Sequence, residues 1–198
     1  YSTMSQTFKI RKGHDIKLVG SAPKTDLGSI TASTYAVTPL DFPGITPKLA
    51  VKTGTQVKAG DTLFFDKDRP EVKICSPVSG EVAEVKRGAK RKILAVLILA
   101  DSDITYTDHG ALSISGATRE DAEAHFSATG VGAFITSRPY GVAASMSEKP
   151  RAIFVNGIQS GPLAGDLAYQ LEGKEKSLAT ALKALKLMTE GTVYVSHD

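Results

Sequence analysis

The sequence predicts a mixed α+β chain, with a small β domain over residues 1–105 followed by an α/β domain over 106–198. Three observations predict it. Short apolar runs, broken by Gly, Asp or Pro, fill the first half and suggest a sandwich or barrel. After Gly110 the apolar period becomes helical. The last third reads strand, helices, strand, a crossover that implies a parallel sheet. Composition fits: 41% of the 198 residues are apolar and 23% charged, which excludes a disordered, collagen-like or coiled-coil chain. A formal charge of +3 falls short of a dedicated nucleic-acid binder. One cysteine, Cys75, excludes a disulfide framework, a zinc ribbon and an iron–sulfur cluster held by this chain alone. The longest apolar run, 93–100, has strand length, so no membrane-spanning helix is expected.

In chain order, Tyr1 to Thr3 precede Met4 and read as a remnant outside the fold. No apolar leader core follows them, so an unexported protein is expected, with peripheral attachment to a membrane left open. Phe8-Lys9-Ile10 alternates and meets Gly13. Residues 21–33 hold Pro23 and Gly28 and read mostly as loop. Tyr35-Ala36-Val37 is a strand, and Pro39, Pro43, Gly44 and Pro47 make a turn-rich crossover. A meander follows, with strands at 48–51, 56–57, 62–65, 71–75, 80–85 and 93–99. Thr118-Arg119-Glu120-Asp121 is a capping-box pattern, so a helix is expected over 119–128, stopped by Gly130. Residues 152–155 read as a buried strand and 162–170 as a helix. Residues 175–188 give the clearest helix, with Leu178, Leu182 and Leu185 on one stripe. Gly191 ends it, and 192–196 is the closing strand. Because a two-stranded parallel sheet wants both faces covered, the chain is expected to continue further or to have its sheet completed by a partner.

Two turns carry the first structural signal. Gly60-Asp61-Thr62-Leu63 and Ser76-Pro77-Val78-Ser79-Gly80 each open an alternating apolar run. Glycine supplies the tight turn, and Asp is expected to bond its own backbone two residues on. The pair is similar to the quasi-symmetric turns of a biotinyl/lipoyl-like barrel-sandwich hybrid. Carrier domains of that kind present a lysine at the hairpin between the turns. Here the tip is Asp66-Lys67-Asp68-Arg69-Pro70. Lys67 lacks small or methionine neighbours and the interval is a residue short, so it reads as an exposed turn lysine and not as an acceptor.

A more specific resemblance lies in longer runs. These are Asp41-Phe42-Pro43-Gly44-Ile45-Thr46-Pro47-Lys48, Phe64-Phe65-Asp66-Lys67-Asp68, Pro70-Glu71-Val72-Lys73 and Arg87-Gly88-Ala89-Lys90-Arg91-Lys92-Ile93-Leu94. Arg138-Pro139-Tyr140, Pro150-Arg151-Ala152-Ile153-Phe154-Val155-Asn156, Pro162-Leu163-Ala164 and Thr189-Glu190-Gly191-Thr192-Val193 continue it. Together they resemble the NqrA family, which belongs to the sodium-translocating NADH:quinone oxidoreductase. Ile158-Gln159-Ser160-Gly161 departs from the Asp-Thr-Asn-like stretch expected there. The resemblance implies the N-terminal part of a longer protein, whose α/β half is the first part of a Rossmann-like domain. It implies a peripheral subunit on the cytoplasmic face of a bacterial inner membrane, in a complex that oxidises NADH, reduces quinone and exports sodium. The NADH, flavins and iron–sulfur cluster would be handled by other Nqr subunits. Ubiquinone or menaquinone, and the membrane subunits, are the implied partners. The rivals are the RnfC family of the related Rnf ferredoxin:NAD oxidoreductase and a non-catalytic biotinyl/lipoyl-like adaptor.

No catalytic residue and no metal ligand set emerges from the sequence, and no cofactor-binding residue is assigned. The basic cluster Lys86, Arg87, Lys90, Arg91 and Lys92 is open to three readings: a solvated turn, a contact for a partner protein or anionic lipid, or a phosphate contact for nucleic acid. Nucleic acid is the least expected. Gly130-Val131-Gly132 follows a helix, so it is no dinucleotide fingerprint. The loop from Gly157 to Gly165 follows a strand and enters a helix, which could aim N–H groups at an anion. It lacks the full glycine pattern, and no acid lies about 20 residues on in the required place, so it reads first as an ordinary βα loop. His14, His109, His125 and His197 are scattered and read as surface or satisfied residues.

Overall fold

A computed structural model of the chain describes residues 16, 18–159 and 161–196. The expected strand at Phe8-Lys9-Ile10, together with Gly13, His14, Ser160 and His197, lies outside the described residues.

The first half is two small sheets closed on one another. Strands β1 (Thr34–Val37), β7 (Ile93–Ala100), β6 (Gly80–Arg87) and β3 (Gln56–Val57) make one sheet in that spatial order, all antiparallel. Strands β2 (Pro47–Leu49), β4 (Thr62–Asp66) and β5 (Lys73–Cys75) make the other. Leu63, Phe64, Val72, Val82, Val96 and Ile98 fill the space between them. Burying each of these side chains contributes about 1.5–3 kcal/mol. The expected barrel-sandwich hybrid is present.

The two signature turns touch. The Gly60 N–H donates to the Ser76 carbonyl, and the Ser76 N–H returns a bond to the Asp61 carbonyl, each at 2.8 Å. The Asp61 carboxylate bonds backward, accepting the Lys58 N–H at 2.8 Å, where the sequence suggested a bond two residues forward. The Asp61 N–H itself donates to the Lys58 carbonyl, so the turn closes over 58–61 and leaves the carboxylate on its N-terminal side. Gly80 shows why its turn needs glycine: φ is +150°, and a Cβ there would lie 1.8 Å from the Leu99 carbonyl oxygen.

The second half begins with a connector laced to the barrel through Ala59, Thr105 and Thr107. Helix α1 (Arg119–Thr129) then starts on the expected capping box and stops at Gly130, which is left-handed. A 3₁₀ turn, Val131–Phe134, leads to the short hairpin β8 (Thr136–Ser137) and β9 (Val142–Ala143). Strands β10 (Ile153–Asn156) and β11 (Val193–Ser196) pair in parallel and in register. Between them run α2 (Leu167–Leu171) and α3 (Glu175–Leu187), so the crossover has the expected order: strand, helices, parallel strand.

Two expectations about helices need correction. The helix expected over 162–170 is only the five-residue α2, because the Asp166 side chain caps it by accepting the Tyr169 N–H and the chain before it turns through Leu163 at φ 58°. The leucine stripe of α3 is not the centre of its core face, and of its three residues only Leu185 packs against a second core. Ala184 and Met188 are buried there, while Leu178 and Leu182 are only half-buried. Those two buried residues join Ala122, Phe126 and Met146 in that core, against Ile153, Leu185 and Leu187.

The halves interlock. Ala133 and Ala143, from the second half, sit in the barrel's own core cluster, and Phe134 meets Phe42 edge-on at 5.5 Å. Gly130 abuts Cys75, whose sulfur would lie 2.8 Å from any Cβ added to it.

Candidate functional site

The hairpin between the signature turns is clamped and does not project as a free arm. Asp66 sits at the end of β4 and is buried. Its carboxylate accepts the Thr46 N–H at 2.9 Å and the Arg69 Nε–H at 2.7 Å. Burial pushes its pKa upward, but the bonds from Thr46, Arg69 and the Asp68 N–H outweigh that, and the net shift is downward. The same Arg69 guanidinium donates to the Gly44 carbonyl at 3.0 Å and to the Ala143 carbonyl at 2.5 Å. One planar fork thus joins hairpin, crossover loop and second half. Next to it, Glu71 accepts the Ser145 hydroxyl at 2.7 Å and its carbonyl accepts the Ser127 hydroxyl at 2.8 Å. Lys67 is exposed on this fixed turn, with its N–H donated to the Thr46 carbonyl.

The loop from Gly157 to Gly165 leaves the carboxyl end of the parallel pair, the place where ligands enter open α/β sheets. The N–H groups that open it are committed. The Gly157 N–H donates to the Ser196 carbonyl at 3.0 Å and its hydroxyl at 3.2 Å, and the Ile158 N–H donates to Asn156 Oδ1. The Ser196 hydroxyl donates to the same Asn156 oxygen at 2.9 Å. A phosphate approaching α2 would meet the Asp166 carboxylate, which Lys24 pairs at 2.5 Å.

Besides the clamp, two features escaped the sequence. His109 and His125 line one open cavity of about 560 Å³, between the connector and α1, together with Ser113, Ser115 and Asp121. His109 Nε2 also lies 3.1 Å from the Gly60 carbonyl. Their sixteen-residue separation gave no hint, because the connector between them has no period. The second feature is the bare face of the parallel pair. Phe154 and Tyr194 stack at 5.0 Å, yet Phe154 is 74% and Tyr194 51% exposed. Residues 152–155 were expected to form a buried strand, but only the face carrying Ile153 meets the second core. Among the described residues, no group of three or more His, Cys, Asp or Glu is placed to hold a metal, and no helix is long and apolar enough to cross a membrane.

Comparison with known proteins decides the family. Residues 8–101 match the model of the NqrA N-terminal barrel-sandwich hybrid domain, and residues 117–198 match that of the NqrA second alpha/beta domain. The chain belongs to the NqrA family. It is 31% identical over 189 residues to the NqrA protein of the Na(+)-translocating NADH-quinone reductase of Cellvibrio japonicus, a match covering 94% of this chain and 42% of that protein. The corresponding proteins of Vibrio alginolyticus and Teredinibacter turnerae are each 30% identical, over 94% and 96% of this chain and 42% and 43% of theirs. The chain therefore spans less than half the length of these curated relatives. Within the NqrA frame the motif runs fall at defined places. Arg87-Gly88-Ala89-Lys90-Arg91 is the tip of the β6–β7 hairpin, Arg138-Pro139-Tyr140 is the exposed β8–β9 turn, and Asp66 with Arg69 is the clamp.

Proposed function

We propose that this chain serves as a peripheral component of a sodium-translocating NADH:quinone reductase, at the cytoplasmic face of a bacterial inner membrane. The observation that carries the reading is the match of both halves, in order, to the two NqrA domains. Its part is to dock to the membrane subunits and to help hold quinone, with the α/β half as the opening of a Rossmann-like domain. NADH, flavins and the iron–sulfur cluster are used by the rest of the complex. Several features support a non-redox part for these residues. A lone cysteine cannot ligate a cluster, and burial pushes the Cys75 thiol upward, keeping it protonated at neutral pH. The Gly157 and Ile158 N–H groups are already bonded within the protein and so are not offered to a pyrophosphate.

The test is co-expression of a tagged chain with the remaining Nqr proteins. Co-purification with NADH:quinone reductase activity is the expected result. Recovery of the chain alone, or with a lipoyl or biotinyl mass on Lys67, would overturn the reading. Titration with flavin mononucleotide and a soluble quinone analogue separates the roles, and tight stoichiometric flavin binding would contradict the assignment of flavins to the rest of the complex.

A further inference from the structure

The β6–β7 hairpin ends in five cations within seven residues: Lys86, Arg87, Lys90, Arg91 and Lys92. All five are exposed. No carboxylate pairs with any of them among the described residues. The Arg87 guanidinium donates instead to the Arg91 carbonyl at 3.2 Å, which closes the tip on itself. Lys90 and Arg91 both adopt left-handed backbone, at φ 54° and 60°. Glycine or asparagine would sit there with less strain, yet the turn carries two adjacent cations.

Charge bookkeeping gives this tip its weight. The chain has 24 Lys and Arg against 21 Asp and Glu. Setting aside the five tip residues leaves 19 against 21, a net charge of −2 for everything else. The five charges of this one turn thus exceed the net charge of +3 of the whole chain. The far end of the same hairpin, where Gly80 faces Ala100, runs into Asp101, Asp103 and Asp108, all exposed. At about 3.3 Å per residue the two ends are about 23 Å apart. The result is a charge dipole along the hairpin, with the connector to the α/β half leaving from the acidic end.

We propose that this tip is a docking surface for the anionic headgroups of a membrane, which it meets end-on, with the acidic body and the α/β half held away. Each cation near an anionic leaflet contributes about a fivefold gain in affinity, so five contribute on the order of a thousandfold, screened by salt. Recognition is by charge density, because the turn is convex. Nucleic acid fits less well. No aromatic residue lies in 80–100 to stack a base, and the cations form a point where a nucleic-acid strand would need a track. The proposal rests on charge placement alone and is independent of the redox reading.

The experiment is co-sedimentation of the full chain with phosphatidylethanolamine vesicles containing about one third phosphatidylglycerol, and with phosphatidylcholine vesicles, at low and high salt. The variants are K90Q/R91Q/K92Q at the tip and K174Q/K176Q/K183Q in the α/β half, which remove equal charge. The wild type should bind the anionic vesicles only, and less at high salt. The tip variant should lose affinity on the order of 100-fold, while the other variant keeps it. Circular dichroism checks both folds, and K86Q/R87Q is read instead if the tip variant fails to fold. Equal binding by the tip variant and the wild type would overturn the proposal. So would no binding of the wild type to anionic vesicles, or equal loss in both variants. Retention of a duplex oligonucleotide without vesicle binding would assign the tip to nucleic acid and equally overturn it.

Discussion

Arg69 and Asp66 show how a hairpin built on a carrier-type frame becomes part of a joint. Asp66 is nearly fully buried while its partner keeps partial contact with water, so losing the carboxylate strands a guanidinium against two carbonyls. Asp66→Asn should cost about 2–3 kcal/mol in chemical denaturation. Because the carboxyl pKa is lowered in the folded protein, its contribution is fully present above the ordinary carboxylate value of about 4 and is lost as pH falls through the lower folded value. The wild type should therefore lose stability below about pH 4 more steeply than the Asn variant. Gly80 is the other residue that admits no compromise. A methyl group there collides with backbone and not with a movable side chain, so Gly80→Ala should cost on the order of 3 kcal/mol or more. A loss below about 1 kcal/mol, close to the range of ordinary surface changes, would show that β6 and β7 can slide apart at that end.

At the scale of the element, α3 illustrates how periodicity and burial part company. The sequence marked Leu178, Leu182 and Leu185 as one stripe, and the helix does form over those residues. Its buried side is nevertheless rotated toward Ala184 and Met188, because α1 and Met146 approach from that direction. Met188→Ala should therefore cost about 2–5 kcal/mol, and Leu182→Ala distinctly less. Thermal or denaturant unfolding of the two variants side by side checks this, and the reverse order would mean that the stripe does carry the packing. The helix spreads its apolar side chains wider than its contacts, and the sheet of β10 and β11 beside it has one bare face.

At the scale of the whole molecule, the halves share side chains across their joint. Ala133 and Ala143 in the barrel core, and Arg69 on the Ala143 carbonyl, couple the two packing clusters. Circular dichroism and the accessibility of Cys75 to a thiol reagent should then report one coincident unfolding transition. Two separated transitions would contradict the joint. The two signature turns, the hairpins of the barrel, the capping box at Thr118 and the parallel crossover were legible in the sequence, since each rests on patterns of neighbouring residues, whereas the short β8–β9 hairpin was not. The clamp, the convergence of His109 and His125, and the facing of Phe154 were not, since they depend on contacts between residues sixteen to more than seventy positions apart. The reading of Lys67 as an unmodified turn lysine rested on its neighbours in sequence; the structure adds that it stands exposed on a turn held by Thr46.

The bare parallel pair also governs how the chain behaves in a tube. Among the described residues, strands β10 and β11 each keep one unpaired edge, beside an aromatic surface open to water. Such edges are templates for other chains, and natural proteins blunt them with charge or cover. Here neither edge strand holds a lysine or an acid. Concentrated solutions should self-associate through this edge and scatter light, and Val195→Lys should suppress the scattering without lowering the melting temperature. The property that makes the α/β half a good receiver for further strands is the same one that makes it sticky toward its own copies.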